Sequence, residues 1–172
     1  MTVFLLVRHG ETDWNAEGRL QGHTDTPLND FGRRQARALA EALAVEGLDA
    51  VYASDLARAR ETAEIVSGRL GLPVALHADL REKDWGTWEG LTTTERDRVE
   101  LVGETTAAHR ERTLRALLGI AERHPAGRVL VVTHGGSVRR VQAAALGMAL
   151  PVLENCGRWV VSCENGAFRA VD

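Results

Sequence analysis

Three short runs of continuous apolar, β-branched-rich residues punctuate the chain, at Val3 to Val7, Ala50 to Ala53 and Val129 to Val132. Runs that do not alternate with polar residues suit strands buried on both faces, the signature of a parallel sheet. Between them the period changes from two to 3.6. Phe31, Gln35, Ala36, Leu39, Ala40 and Leu43 share one helical face behind a cap at Asn29 or Asp30, and Ala59, Ala63, Val66 and Leu70 share another, closed by Gly71 and Pro73. A third amphipathic helix opens at Thr105 or Thr106 and runs through Leu114, Leu117, Leu118 and Ala121 to end before Pro125; a fourth runs from about Ser137 to Leu146. The tail alternates around Trp159 to Cys163 and Ala167 to Val171 across Asn165-Gly166, a strong hairpin signal. The pattern predicts one α/β domain over residues 1–172, with a mainly parallel sheet, helices on both faces and a C-terminal antiparallel hairpin.

Composition narrows the class without changing that picture. With 172 residues, 44% hydrophobic and 26% charged, the chain is long enough to bury a core without disulfides or a structural metal. Its 21 basic and 24 acidic residues give a formal charge of -3, which offers no single-sign field for nucleic acid or an anionic membrane. Lys83 is the only lysine. Cys156 and Cys163 match no redox or zinc spacing and are expected as reduced, buried thiols. No stretch of about 20 apolar residues and no signal-peptide pattern is present, so the expectation is a cytoplasmic protein.

In open parallel sheets, ligands bind beyond the carboxyl ends of the strands, so the residues directly after each apolar run carry the most weight. Val7 leads into Arg8-His9-Gly10-Glu11-Thr12 and Val132 leads into Thr133-His134-Gly135-Gly136, so two strands end in a His-Gly step. The third run leads into Ser54-Asp55-Leu56-Ala57-Arg58, with Arg58 in the first turn of a helix, where the dipole already favours negative charge. Two arginines, two histidines and glycines that let backbone N–H groups approach are the ingredients of a site for a tetrahedral phosphate, whose oxygens a guanidinium forks. A rival use of His9, His23 and His134 as zinc ligands lacks close-spaced ligand pairs and leaves the arginines unused.

The blocks Leu6 to Asn15, Gln21 to Leu28, Tyr52 to Ala63, Leu80 to Gly90 and Thr133 to Gly136, in this order, resemble the histidine phosphatase superfamily, the phosphoglycerate-mutase-like proteins, and within it the small phosphatases. The resemblance implies that His9 is a nucleophile that becomes phosphohistidine, that Arg8, Arg58 and His134 bind the transferring phosphoryl group, and that Glu82 is the acid and base. It implies that Asn15 assists at the phosphate, that Gln21 and Gly22 line the substrate side, and that Gly135 joins them. Neutral imidazole is a competent nucleophile near pH 7, and the Gly10 carbonyl stands close enough in sequence to accept from its other nitrogen. Without the resemblance, Glu82 reads as a surface carboxylate paired with Arg81 or Lys83. Trp14, Trp85 and Trp88 read equally as pocket walls or as core, and Trp159 as core.

Two departures bear on substrate. Many relatives carry a longer capping insertion, where this chain has only Leu91 to Val102, a cap segment of about 91–105 that predicts an open pocket and broad selectivity; together with a chain that stops just after its hairpin, this favours hydrolysis over mutase transfer. Lys83 stands where small phosphatases often carry an apolar residue, placing a cation beside the expected acid and within reach of a second anionic group. The expected activity is metal-independent hydrolysis of small phosphate monoesters with no cofactor. The alternatives are phosphoglycerate-mutase-type transfer or a catalytically inactive anion-binding or interaction module. The expected partner is a small-molecule phosphate ester, with a homodimer left open.

Overall fold

The computed structural model describes residues 1–171. Its elements are β1 (Thr2–Arg8), α1 (Asp13–Ala16), α2 (Asp30–Leu43), β2 (Ala50–Ala53), α3 (Ala57–Leu70), β3 (Val74–Leu76), α4 (Thr93–Arg96), α5 (Thr106–Arg123), β4 (Arg128–Thr133), α6 (Gly135–Leu146), β5 (Arg158–Glu164) and β6 (Ala167–Ala170). One six-stranded sheet has the order β3-β2-β4-β1-β5-β6. The first four of these strands pair in parallel, and β5 and β6 add antiparallel at the edge.

The unbroken apolar runs are explained by what covers the sheet. On one face Phe4, Leu6, Val129 and Val131 pack with Ala116, Leu117 and Ile120 of α5 and Val138 and Val141 of α6. On the other, Leu5, Val7, Leu130 and Val132 pack with Leu39, Ala40 and Leu43 of α2 and Ala59, Ala63 and Val66 of α3. Successive interior residues of β1 and β4 therefore serve opposite cores, and polar side chains are confined to the strand ends, at Thr2, Arg8, Arg128 and Thr133.

Three details depart from the sequence reading. The edge strand β3 is three residues long and mostly exposed, too short for its periodicity to register. Helix α6 starts at Gly135 rather than near Ser137, with His134 as its N-cap. Cys163 is buried as expected, but Cys156 is only half-buried, as is Trp159, and both cysteines are free.

Strand register assembles the polar ends. Val7 is level with Val132 and Arg8 with Thr133, while Ala53 is also level with Val132. His9 N–H donates to the Thr133 carbonyl at 2.9 Å and Ser54 N–H to that of Val132 at 3.0 Å, so the ladders continue one residue past the strands. The three polar strand ends consequently emerge side by side.

Candidate active site

A cleft of about 330 Å³ at these strand ends is lined by Arg8, His9, Asn15, Gln21, Gly22, Arg58, Glu82 and Gly135. His134 lies behind it, fully buried, with its ring 5.2 Å from that of His9 and inclined at 60°. All nine residues expected from the sequence are thus brought to one place, eight on the wall and one beneath it. Of the tryptophans, Trp85 lines the cleft; Trp88 stacks on Trp85 at 5.9 Å outside it, and Trp14 sits against Gly90.

His9 is anchored by Nδ1, which lies 2.7 Å from the Gly10 carbonyl, the contact that the His-Gly step suggests. A carbonyl can only accept, so Nδ1 carries the proton and Nε2 is left with its lone pair. Gly10 is itself held: its N–H donates to Thr62 Oγ1 at 3.0 Å, and that hydroxyl donates to the Arg58 carbonyl at 2.7 Å. Burial pushes the His9 imidazole well below its ordinary pKa, and the Arg58 and Arg8 charges push the same way, outweighing the Gly10 bond. The ring is neutral at pH 7.

Arg58 is completely buried, with its two terminal nitrogens donating to the carbonyls of Thr24 (2.9 Å) and Gly22 (2.7 Å). Desolvation lowers even this guanidinium to about 10. Arg8 donates to the Leu153 carbonyl at 2.7 Å, and burial lowers it also. Neither has a carboxylate within salt-bridge distance among the described residues, and Arg58 Nε has no partner at all. Ser54 Oγ accepts from Leu56 N–H at 3.3 Å and pairs with His134 Nε2 at 2.9 Å, leaving Nδ1 as the ring's other nitrogen. That nitrogen, too, is buried without a partner. Two unpaired buried nitrogens, one of them an arginine donor, and two arginines free of carboxylates define a site that an anion completes.

Glu82 lines the same cleft. Its carboxyl accepts from its neighbour Lys83 N–H at 2.8 Å and from Gly136 N–H at 2.9 Å, in the first turn of α6. It pairs with neither Arg81, whose guanidinium forks Asp55 at 2.7 and 2.6 Å, nor the Lys83 amine, which lies 4.2 Å over the Trp85 ring. The surface-pair reading of Glu82 is therefore not what the structure contains.

Several supporting residues are given no role by the sequence, although Glu89 and Glu104 stand in blocks, Leu80 to Gly90 and Gly103 to Thr105, that resemble the family. Arg112 on α5 donates to the carbonyls of Asp79, Arg81 and Glu82 at 2.9, 2.7 and 2.6 Å while forking Glu104 at 2.6 and 2.8 Å, and so fixes the loop that carries Glu82. Burial is the largest influence on the Glu104 carboxyl and works to raise it, but the Arg112 fork, the Asp84 N–H and the nearby positive charges together outweigh it and the net shift is downward. His109 is buried beside them, 3.0 Å from Ser137 Oγ and 3.8 Å from Glu82 Oε1, and desolvation lowers it to about 4. Its place is the one available clue: it recurs on the buried face of α5 with Thr113, Ala116, Leu117 and Ile120. Glu89 gathers the N–H groups of His23, Thr24 and Trp85, and a Cβ on Gly22, where φ is +53°, would fall 2.0 Å from its Oε1. Asn155 Nδ2 bridges the His9 carbonyl and Asn15 Oδ1 at 3.0 and 3.2 Å. Among the described residues no group of three His, Cys, Asp or Glu side chains is arranged to hold a metal ion, and no helix is long and apolar enough to cross a membrane.

Residues 4–172 match the sequence profile of the histidine phosphatase superfamily, branch 1. The chain is similar to phosphoglycerate mutase-like protein 4 of Arabidopsis thaliana, 39% identical over 160 residues that cover 82% of this chain and 70% of that protein. It is 37% identical over 174 residues to a metal-independent phosphoserine phosphatase of the same plant, covering 87% and 73%. Among solved structures, Bacillus stearothermophilus YhfR superposes with a TM-score of 0.92 at 33% identity, covering 99% and 96%.

Proposed function

The chain belongs to the histidine phosphatase superfamily, branch 1, and is a phosphoric monoester hydrolase; from that premise we propose that it hydrolyses small phosphate monoesters without a metal, through a phosphohistidine on His9. The observation that carries this reading is a neutral imidazole, fixed by Nδ1 on the Gly10 carbonyl, between two arginines free of carboxylates.

In the first step His9 Nε2 attacks phosphorus while the bond from phosphorus to the ester oxygen breaks, and Glu82 delivers a proton to the departing alkoxide. In the second, Glu82 takes a proton from water as that water attacks the phosphohistidine, and His9 leaves as the neutral ring. Arg8, Arg58 and His134 hold the equatorial oxygens throughout, supplying from the protein the charge stabilisation that phosphoryl transfer needs. Asn15 assists at the phosphate, while Gln21 and Gly22 border the leaving-group side with Trp85; all four line the cleft.

The test is turnover of p-nitrophenyl phosphate and an alkyl phosphate in excess chelator. His9→Ala abolishes both, and acid-labile label trapped on the wild type is absent from the variant. Glu82→Gln slows the alkyl ester by roughly 10²- to 10⁴-fold and the activated ester less, because only a poor leaving group needs the proton. Loss of activity in chelator that added metal restores overturns the metal-free reading; equal slowing of both esters removes Glu82 from the acid role. Exchange between 3- and 2-phosphoglycerate in added bisphosphate would point to a mutase instead.

A further inference from the structure

One buried titratable side chain beside the acid takes no part in the phosphoryl transfer. His109 projects from α5 into the interior and is only 2% exposed. Its Nε2 lies 3.0 Å from Ser137 Oγ on α6 and 3.8 Å from Glu82 Oε1, while Ser137 Oγ donates to the Arg81 carbonyl at 3.1 Å. A hydroxyl has one proton and a carbonyl can only accept, so both Ser137 contacts are hydrogen bonds only when His109 Nε2 is the donor. Two hydrogen bonds in series thus run from α5 through α6 to the peptide between Arg81 and Glu82. The ring stays neutral: burial is the main cause, and the Arg112 and Arg140 charges add to it against the pull of the Glu82 and Glu104 carboxylates. Glu82 borders the main cleft and His109 does not, so the ring stands behind the carboxyl as a substrate meets it. The two side chains also share the wall of a smaller hollow of about 90 Å³, which gives the carboxyl a second direction in which to turn.

We propose that His109 is a positioning residue for the general acid, holding the Glu82 carboxyl toward the cleft by backing Oε1 with its ring and by fixing the Arg81 carbonyl through Ser137. This rests on the phosphatase reading and on the acid role of Glu82 within it. A neutral ring suits the task. A protonated imidazole 3.8 Å away would form an ion pair with the carboxylate and compete with the ester oxygen for it, whereas a neutral ring whose N–H is engaged by Ser137 constrains the carboxyl without pairing its charge. Arg112 holds the backbone of the same loop, and the Lys83 and Gly136 N–H groups hold the carboxyl oxygens; His109 serves both levels at once. The consequence differs between substrates. A displaced acid harms esters whose leaving oxygen needs a proton, and it leaves phosphate capture by Arg8 and Arg58 intact.

The experiment measures kcat/KM for n-propyl phosphate and p-nitrophenyl phosphate, a constant that reports the step forming the phosphohistidine. His109→Leu fills the space but removes the donor, and lowers the propyl ester roughly 10- to 100-fold while the nitrophenyl ester loses less, so the ratio of the two shifts. Ser137→Ala moves the ratio the same way and decides the matter if the leucine variant does not fold. His109→Gln keeps an N–H donor and retains more of the wild-type ratio than His109→Leu. In a Glu82→Gln background His109→Leu costs the propyl ester nothing further, because no acid is left to misplace. Stability lost in urea with the ratio unmoved, an equal loss of both esters, or full additivity in the double variant overturns the positioning role while the acid reading stands. If Glu82→Gln by itself slows the two esters equally, the acid reading fails and the role of His109 falls with it; absence of turnover with either ester overturns the phosphatase reading and this proposal together.

Discussion

Gly136→Ala separates the catalytic acid from the fold that carries it. A Cβ at this position would lie 2.1 Å from Glu82 Oε1 and 2.8 Å from its carboxyl carbon. Real Cβ atoms essentially never stand within 3.0 Å of such a neighbour, so the carboxyl must retreat by about 1 Å, and the atom in the way is the end of a flexible side chain rather than backbone. The global cost is therefore limited to the contacts of one carboxyl. One charge-assisted hydrogen bond, from Gly136 N–H, is weakened at about 1.5–3 kcal/mol, while replacing glycine by alanine within α6 returns about 0.5–1 kcal/mol of helix preference. Activity has no such compensation: displacement of a catalytic group by about 1 Å costs on the order of 10²-fold. The expected result is a protein that still unfolds cooperatively in urea with stability lowered by at most about 2.5 kcal/mol, kcat for an alkyl phosphate reduced by about two orders of magnitude, and a smaller loss with p-nitrophenyl phosphate. Full alkyl phosphate turnover in the variant would refute the reasoning, since it would mean that the acid does not depend on where Gly136 places it.

Two further outcomes test the buried groups around the site. The histidines at 9, 109 and 134 are folded in their neutral form, all with pKa values below the ordinary 6.5. The unfolded chain takes up protons there first, so stability is full above that pH and is lost as the pH falls through 6.5 toward the folded values. For His109, folded at about 4, the loss between pH 7 and pH 5 is about 2 kcal/mol, so His109→Gln flattens the urea-measured pH dependence by that amount; an unchanged slope contradicts the assignment. Thr62→Val keeps the shape of a fully buried side chain but leaves Gly10 N–H without its acceptor. It should destabilise by about 1–3 kcal/mol in chemical denaturation and lower kcat with it, whereas Thr62→Ser should restore both.

The parts of this molecule that can be read from sequence are those in which one periodicity is imposed on every residue. Strands β1 and β4 touch two cores at once, so nothing polar interrupts them, and the helices above and below show a single apolar stripe. The edge strand β3 answers to neither constraint, since Ala75 and Leu76 are exposed, and it leaves no trace in the pattern. The pattern places the onset of α6 two residues late because glycine is a poor helix former, yet Gly135 and Gly136 are required there by the crowding of Val152 over the first and of Glu82 over the second. Propensity describes the backbone; the site dictates the residues.

The same distinction explains why the reacting groups are legible and their supports are not. Arg8, His9, Arg58 and His134 end strands or open helices, so the parallel register alone determines that they meet. Arg112, His109 and Asn155 act through pairings between segments distant in the chain, and no local pattern encodes such partners; Glu89 and Glu104 stand in recognisable blocks, but what they pair with is equally hidden. Arg112 illustrates the point: on a helix it reads as one more solvated arginine, but it is mostly buried and ties three carbonyls of the Glu82 loop to α5. This cross-link matters because the loop from Arg81 to Asp84 has neither helix nor strand geometry to hold a carboxyl in place. The phosphate side is rigid because the sheet makes it so, whereas the acid side is held by side chains from elsewhere in the chain: the mostly buried Arg112–Glu104 pair, Ser137 Oγ on the Arg81 carbonyl, His23 beside the Glu82 carbonyl, and Gly136 N–H on the carboxyl. Catalysis by proton transfer to an alkoxide needs both sides fixed relative to each other. Substitutions along the Arg112–Glu104 axis should therefore harm esters of poor leaving groups first, leaving phosphate capture by Arg8 and Arg58 largely in place.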